Sequence, residues 1–94
     1  MTRPTVRVLE ALLADPSREY YGLELREATG LGNGTLYPRL AELENYGWLE
    51  SRWETPVPGR PPRRYYRLTR DGAARARTEL ARVTRRPRPV LREA

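Results

Sequence analysis

Residues 30–47 read GLGNGTLYPRLAELENYG, and this stretch decides how the rest of the chain is interpreted. Its glycines and Asn33 suit a tight turn followed by a helix N-cap. Gly47 stands where a helix would end in the left-handed conformation. A short glycine turn leading into such a helix is typical of the recognition helix of a helix-turn-helix. Three leucines then share one helical face at i, i+4 and i+7 spacing: Leu36, Leu40 and Leu43.

The composition limits the chemistry that this chain can perform. With 94 residues, it is long enough for one domain with a small core. It contains no Cys and no His, which excludes disulfides, thiolate nucleophiles, Cys/His zinc sites and imidazole-based triads. We therefore expect no enzyme activity, no metal and no cofactor. There is no signal-peptide pattern and no apolar run of membrane-spanning length, so we expect a cytoplasmic protein with no membrane partner.

The charge is distributed unevenly along the chain. Residues 1–51 carry five arginines and eight acidic residues (net −3), whereas residues 52–94 carry thirteen arginines and four acidic residues (net +9). A basic half on a small domain indicates a polyanionic partner, most often nucleic acid. The alternative is that the surface arginines only keep the protein soluble.

Two helices are predicted before the recognition helix. The first runs from Thr5, its expected N-cap, to Ala14, with an apolar stripe of Val6, Leu9, Leu12 and Leu13. The second covers residues 22–29 and turns Leu25 and Ala28 inward. Its N-terminus offers free backbone N–H groups to a phosphate. Tyr20 or Tyr21 either adds a hydroxyl to that contact or packs in the core.

The first two turns of the recognition helix are small and polar, so they can approach base edges and phosphates. Glu42, Glu44 and Asn45 make its second half a poor DNA ligand. Pro38 lacks a backbone N–H, which predicts a short or bent first turn. The DNA-binding residues expected in this half of the chain are Tyr21, Asn33, Thr35, Tyr37, Pro38 and Arg39.

A β-hairpin follows the recognition helix. Strands are predicted over residues 48–54 and 63–68, separated by the stiff segment PVPGRPP at 56–62. Tyr66 and Leu68 are expected in the core, Tyr65 on the solvent side, and Trp48 and Trp53 in core and hairpin packing. Three arginines, expected at the hairpin tip with few acids nearby, predict a wing that contacts the DNA backbone or minor groove: Arg60, Arg63 and Arg64. Solvated arginines on an ordinary hairpin are the alternative.

A last helix begins after Thr69, which is a good N-cap. Its apolar positions have the spacing of a coiled-coil seam, which can pack on the first helix of the same chain, pair with a second copy, or do both. The predicted dimerisation residues are Leu9, Leu13, Ala73, Ala76, Leu80 and Val83. The domain is expected to cover residues 1–84. Residues 85–94 are a basic Pro/Arg tail that we expect to be disordered.

Several strings, in this order, resemble the PadR family of bacterial winged-helix transcriptional regulators: YGLEL (21–25), GTLYPRL (34–40), LENYGWLES (43–51) and RYYRLTRDG (64–72). The resemblance covers roughly residues 5–83. It implies that Thr35, Tyr37 and Pro38 belong to the recognition helix and that the three hairpin arginines belong to the wing. It also implies homodimers that bind two-fold operators, usually as repressors. Many members have a larger C-terminal domain that responds to effectors; only one helix and a tail stand here, so we expect no small-molecule effector.

The sequence therefore predicts a mainly α winged helix-turn-helix, with a three-helix core, a β-hairpin wing and a C-terminal helix. The predicted function is sequence-specific DNA binding by a transcriptional regulator, with duplex DNA as the partner. The alternative is a winged-helix module that docks on a protein of the transcription machinery.

Overall fold

The computed structural model describes residues 2–85, and the predicted tail lies outside this range except for Arg85, the last residue of the final helix. The fold is mainly α with a small antiparallel sheet, as predicted. Its elements in chain order are α1 (Arg3–Leu13), β1 (Tyr20–Tyr21), α2 (Gly22–Thr29), α3 (Asn33–Asn45), β2 (Leu49–Trp53), β3 (Arg64–Leu68) and α4 (Arg70–Arg85).

Helix α1 begins two residues earlier than the sequence predicted. Thr2, not Thr5, is its N-cap, and the Thr2 hydroxyl oxygen accepts a hydrogen bond of 3.3 Å from the Thr5 backbone N–H. Pro4 lies in the first turn, where its missing N–H costs nothing and its fixed φ suits the helix. Val8 lies in the core, whereas Val6, which the predicted stripe included, is only half-buried.

Helices α2 and α3 form the helix-turn-helix, and α2 has the predicted bounds. Gly30 ends α2 with φ 74°, and Gly32 is the N-cap of α3. Gly47 has φ 81°, which confirms the predicted left-handed stop after α3. Pro38 lies inside α3, beyond the first turn, and the helix continues through it. Ala28, predicted to face inward, is exposed.

The sheet contains one strand more than the predicted hairpin. Its order is β1-β3-β2, and the register pairs Tyr20 with Tyr66 and Ser51 with Tyr66 on opposite sides of β3. Strand β1 is only two residues long, too short for a periodic signal in the sequence. Trp53 was predicted to pack in the hairpin, but its side chain is 61% exposed at the end of β2.

The core lies between α1, α3, α4 and the sheet. The Thr69 hydroxyl accepts a 2.8 Å hydrogen bond from the Gly72 N–H, which confirms the predicted N-cap of α4. The predicted leucines of α3 are all buried, as are Tyr66 and Leu68. The buried apolar side chains are Val8, Leu9, Leu12, Tyr20, Leu25, Leu36, Leu40, Leu43, Leu49, Tyr66, Leu68, Ala73 and Ala76.

The apolar side chains in the first half of α4 pack against the core of the same chain. Leu9, Ala73 and Ala76 are buried in the chain's own core, where their side chains pack within a single copy of the chain. Leu13 and Leu80 pack partly buried against that core. The dimerisation role of these residues stays a prediction, and Val83, at 41% exposure, is the most exposed seam position in the described part of α4.

Candidate nucleic-acid interface

The start of α3 carries most of the predicted DNA-binding residues of the recognition helix, and most of these are exposed. Because its leucines face the core, the residues between them point outward. Arg39 is half-buried, and its Nε lies 3.1 Å from Glu42 Oε1 in an ion pair whose geometry is not that of a hydrogen bond. The exposed members of the predicted site in this helix are Asn33, Thr35, Tyr37 and Pro38.

Tyr37 lies against the first turn of α2. Its ring is 41% exposed, but its hydroxyl oxygen sits over Gly22, the first residue of α2. A β carbon on Gly22 would overlap Tyr37 Oη and lie only 3.0 Å from Tyr37 Cζ. The contact therefore joins the start of α3 to the start of α2, and a residue larger than glycine at position 22 would displace the Tyr37 ring.

Tyr20 and Tyr21 take different roles. Tyr20 is buried in the core, whereas Tyr21 is half-buried and is the N-cap residue of α2. The Tyr21 backbone N–H donates a 3.1 Å hydrogen bond to Glu24 Oε1. The Tyr21 ring meets the Tyr65 ring edge-on, with centroids 5.8 Å apart. Tyr20 therefore takes the predicted core position, whereas Tyr21 lies closer to the surface and its contact with a phosphate stays a prediction.

The three wing arginines are not gathered at the hairpin tip, contrary to the sequence prediction. The wing loop (residues 54–63) joins β2 to β3. Arg63 closes its base, because the Arg63 carbonyl accepts a 2.9 Å hydrogen bond from the Glu54 N–H. Arg64 lies in β3, opposite Trp53. Arg60 folds back from the loop onto Glu54.

The prediction of few acids near these arginines is also wrong. Both terminal nitrogens of Arg60 donate to the Glu54 carboxylate, the second at 3.2 Å. These hydrogen bonds, aided by one from the Arg63 N–H, hold the pKa of Glu54 below its usual value. Glu54 lies six residues before Arg60, and the path of the loop between them brings the two side chains together.

Arg64 is engaged by α3 and β2 in a network that the sequence did not reveal. Its Nε and Nη2 donate to the Ser51 hydroxyl at 3.1 and 2.8 Å. Ser51 in turn donates a 2.7 Å hydrogen bond to Glu44 Oε2, and Arg64 Nη2 lies 3.6 Å from the same oxygen. The guanidinium thus links the wing to the second half of the recognition helix.

Arg63 is the wing arginine whose guanidinium stays available. It lies over the Tyr21 ring, 4.1 Å from the ring centroid. Across residues 2–85, its side chain forms no ion pair with a carboxylate, whereas Arg60 and Arg64 do. A cation held on an aromatic face, with no carboxylate in ion-pair contact, is well placed to meet a phosphate.

A groove runs between the start of α3 and the wing. Its volume is about 490 Å³, and it is open to solvent. This α3–wing groove brings together residues from α2, α3 and both long strands. It is lined by Tyr21, Gly22, Leu23, Tyr37, Trp53, Pro62, Arg63, Arg64 and Tyr66. Leu23, Trp53 and Pro62 belong to it without having been predicted, since their sequence context gives no signal beyond ordinary hairpin and helix residues.

The described residues include neither a metal-binding cluster nor a membrane-spanning helix. No group of three or more acidic side chains within residues 2–85 is arranged to hold a metal ion. No helix in that range has the length and apolar content needed to cross a membrane.

A helix-turn-helix whose second helix presents an exposed start beside an arginine-bearing hairpin defines a winged-helix DNA-binding protein. The model of the PadR-like family of transcriptional regulators matches residues 8–78. The chain belongs to this family, and it is a DNA-binding transcriptional regulator rather than a member of an enzyme family. No curated protein sequence gives a significant match.

Solved structures of similar proteins have the same fold. A PadR-like transcription factor from Bacteroides fragilis is 26% identical, with a TM-score of 0.71 over 85% of this chain and 79% of that one. A PadR family regulator from Eggerthella lenta is 30% identical, with a TM-score of 0.69 over 82% and 70% of the two chains. The PcaV regulator from Streptomyces coelicolor, solved with its natural ligand, is 28% identical, with a TM-score of 0.71 over 90% of this chain and 57% of that one.

Proposed function

We propose that this chain is a repressor that binds a two-fold symmetric operator as a homodimer. The start of α3 enters the major groove, and the wing meets the neighbouring backbone or minor groove. The observation that carries the proposal is the α3–wing groove, where exposed Tyr37 and the guanidinium of Arg63, which forms no ion pair within residues 2–85, flank one open channel. A strand of phosphates lying in that channel would contact both at once.

Base readout is assigned to the first two turns of α3. Asn33 and Thr35 are exposed there and can donate to or accept from base edges. Tyr37 is held by Gly22 and meets the sugar-phosphate backbone or a thymine methyl group. Because Pro38 has no backbone N–H, one backbone carbonyl in the preceding turn of α3 lacks its helical hydrogen bond. The proline ring also offers an apolar contact.

Phosphate contact is assigned unequally among the basic residues of the predicted site. Arg63 makes the main contact, because its guanidinium forms no ion pair that a phosphate would have to replace. Arg39, Arg60 and Arg64 are each paired with a glutamate, so a phosphate must compete with that partner. Their contribution to affinity is therefore smaller than a count of arginines implies.

The homodimer is proposed to use the exposed edge of α4 together with the end of α1. Val83 is exposed there, and Leu13 and Leu80 are partly buried beside the core. A two-fold axis through this edge would present two α3 helices to half-sites about one helical turn apart, roughly 34 Å. The regulator acts on DNA in the cytoplasm, and no small-molecule effector is needed in this scheme.

Fluorescence anisotropy with labelled duplexes tests DNA binding, and sedimentation of the complex counts the chains per duplex. The proposal predicts salt-dependent binding and two chains on each operator-length duplex. One chain per duplex at saturation would contradict the homodimer. A failure to bind any duplex at low salt would contradict the proposed DNA-binding site itself.

Docking on a protein partner is the second candidate function. Tyr46 follows the last residue of α3, at the opposite end of the helix from Asn33, and is 69% exposed. Its ring lies 6.5 Å from that of Trp48. Exposed aromatic side chains such as Tyr46 are enriched in protein interfaces. A purely adaptor role would leave the protein without tight duplex binding.

A further inference from the structure

Glu54 is an acidic residue in the middle of the basic wing. It directly follows β2, and its side chain is only 13% exposed. Its carboxylate accepts hydrogen bonds from the Arg60 guanidinium and a 3.0 Å hydrogen bond from the Arg63 backbone N–H. Its own backbone N–H donates to the Arg63 carbonyl at 2.9 Å.

These contacts fix the backbone of Arg63 on two sides. The carboxylate holds its N–H and the main chain of Glu54 holds its carbonyl, so the base of the wing loop is closed by one residue pair. The Arg63 side chain leaves this closed base toward the Tyr21 ring. Arg60 balances the charge of Glu54, so the acid adds little net repulsion toward a polyanion.

We propose that Glu54 is a positioning residue for DNA binding. By closing the base of the wing loop, it places the Arg63 guanidinium at the edge of the α3–wing groove, where a phosphate can reach it. This inference rests on the proposed role of the wing in DNA binding. A positioning role predicts that removal of Glu54 weakens DNA binding. Simple electrostatics predicts the opposite, because removal of an acid near DNA strengthens binding.

The conservative variant Glu54→Asp separates geometry from charge. Aspartate keeps the negative charge but is one methylene shorter, so its carboxylate cannot reach both the Arg60 guanidinium and the Arg63 N–H as Glu54 does. A role in positioning predicts weaker binding in Glu54→Asp and Glu54→Gln alike. A role of charge alone predicts unchanged binding in the first and tighter binding in the second.

Glu50 provides the matched control. It lies in β2 four residues earlier, is exposed, and is ion-paired with Arg67 beside Pro16, outside the α3–wing groove. Glu50→Gln and Glu50→Asp remove or shorten the same kind of charged side chain, in the strand that Glu54 directly follows. We expect their duplex affinity to equal or exceed that of the wild type.

The experiment measures duplex affinity by anisotropy, at one moderate salt concentration, for these variants with and without Arg63→Ala. The expected loss in Glu54→Asp and Glu54→Gln is about three- to tenfold, the scale of one charge-assisted contact. In the Arg63→Ala background the same Glu54 substitutions should cost less than about twofold, because the group they position is gone. Thermal unfolding of each variant verifies that it is folded at the assay temperature.

The possible results distinguish the inference from the function on which it rests. If Arg63→Ala leaves duplex affinity unchanged, the wing contact of the proposed function fails. If Arg63→Ala weakens binding but the Glu54 variants bind as tightly as the wild type, the positioning role alone is overturned. Equal losses from Glu54→Asp in both backgrounds would overturn it as well, since Glu54 would then act independently of Arg63.

Discussion

The hydroxyl of Tyr37 rests directly on Gly22, so the recognition helix and the helix before it meet through an aromatic side chain and a residue that has none. Gly22 is the first residue of α2. Its φ is one that any residue can adopt, but the Tyr37 hydroxyl occupies the space that a β carbon would need. The pair places an exposed side chain of α3 at a defined height above the α3–wing groove.

We predict that Gly22→Ala weakens DNA binding while leaving the fold nearly unchanged. The new methyl group must push the Tyr37 ring aside, and because this ring is partly exposed it can shift toward solvent instead of into the core. Alanine is also the better helix former, so the unfolding free energy should change by less than about 1 kcal/mol. Operator affinity should fall roughly three- to tenfold. Anisotropy and urea unfolding measure the two effects.

The control for this prediction is Tyr37→Phe, which removes the overlapping hydroxyl. In the Tyr37→Phe background, Gly22→Ala should cost less affinity than in the wild type. Strictly additive losses would show that Gly22 and Tyr37 do not act through their contact.

The salt dependence of binding should distinguish Arg63 from Arg60. Arg63→Ala removes a guanidinium with no carboxylate partner, and the slope of log affinity against log salt should flatten by about one unit. Arg60→Ala removes a guanidinium that already balances Glu54, so its slope should change by clearly less. Equal slopes for the two variants would mean that the Glu54 pairing does not matter on DNA. Titrations at four or more salt concentrations give the slopes.

Gly72 is predicted to be essential for stability. A β carbon there would overlap the Trp48 carbonyl oxygen and come within 2.6 Å of its carbonyl carbon, and neither backbone atom can rotate away. Gly72→Ala should destabilise the domain by about 1–3 kcal/mol, the cost of overpacking. Urea midpoints at constant m-value give the change.

The matched control is Gly34→Ala in α3, where an added β carbon meets no heavy atom within 4 Å. That substitution should stabilise the domain by roughly 0.5 kcal/mol, because alanine loses less entropy in a helix. A destabilised Gly34→Ala or a neutral Gly72→Ala would contradict the packing described here.

Stability should decrease in acid, in part through two glutamates. Hydrogen bonds from Arg52 lower the pKa of Glu19, and those from Arg60 lower the pKa of Glu54. Because both folded-state pKa values lie below the unfolded value of about 4.3, their stabilisation is present above that pH and is lost as pH falls through the folded pKa values. Glu19→Gln and Glu54→Gln should each reduce the loss of stability between about pH 5 and 2.5. Urea midpoints across that range test it, and an unchanged pH profile in both variants would contradict it.

Sequence reasoning found the helix-turn-helix because its signals are local. The leucine spacing in α3 and the glycines at its ends are set by neighbours a few residues apart, and the structure confirms them. Strand β1 was missed because two residues carry no periodicity and its pairing partner, Tyr66, lies far along the chain. The same lack of local signal led to Trp53 being placed in the packing of the hairpin.

Composition alone does not show which arginines are paired with other side chains. Arg52 pairs with Glu19 across 33 positions, and Arg64 reaches Ser51 across 13. Such partners are set by the fold, so a count of basic residues overestimates the charge that is free to meet DNA. Arg63 differs from its neighbours in β3 and the wing loop only through that three-dimensional arrangement.

The most direct test of the account is selection of bound duplexes from a pool with a randomised central region, followed by sequencing. We predict a two-fold symmetric motif whose half-sites are about 10 base pairs apart, because two α3 helices would read successive major grooves. Enrichment without any shared motif would contradict sequence-specific recognition by α3.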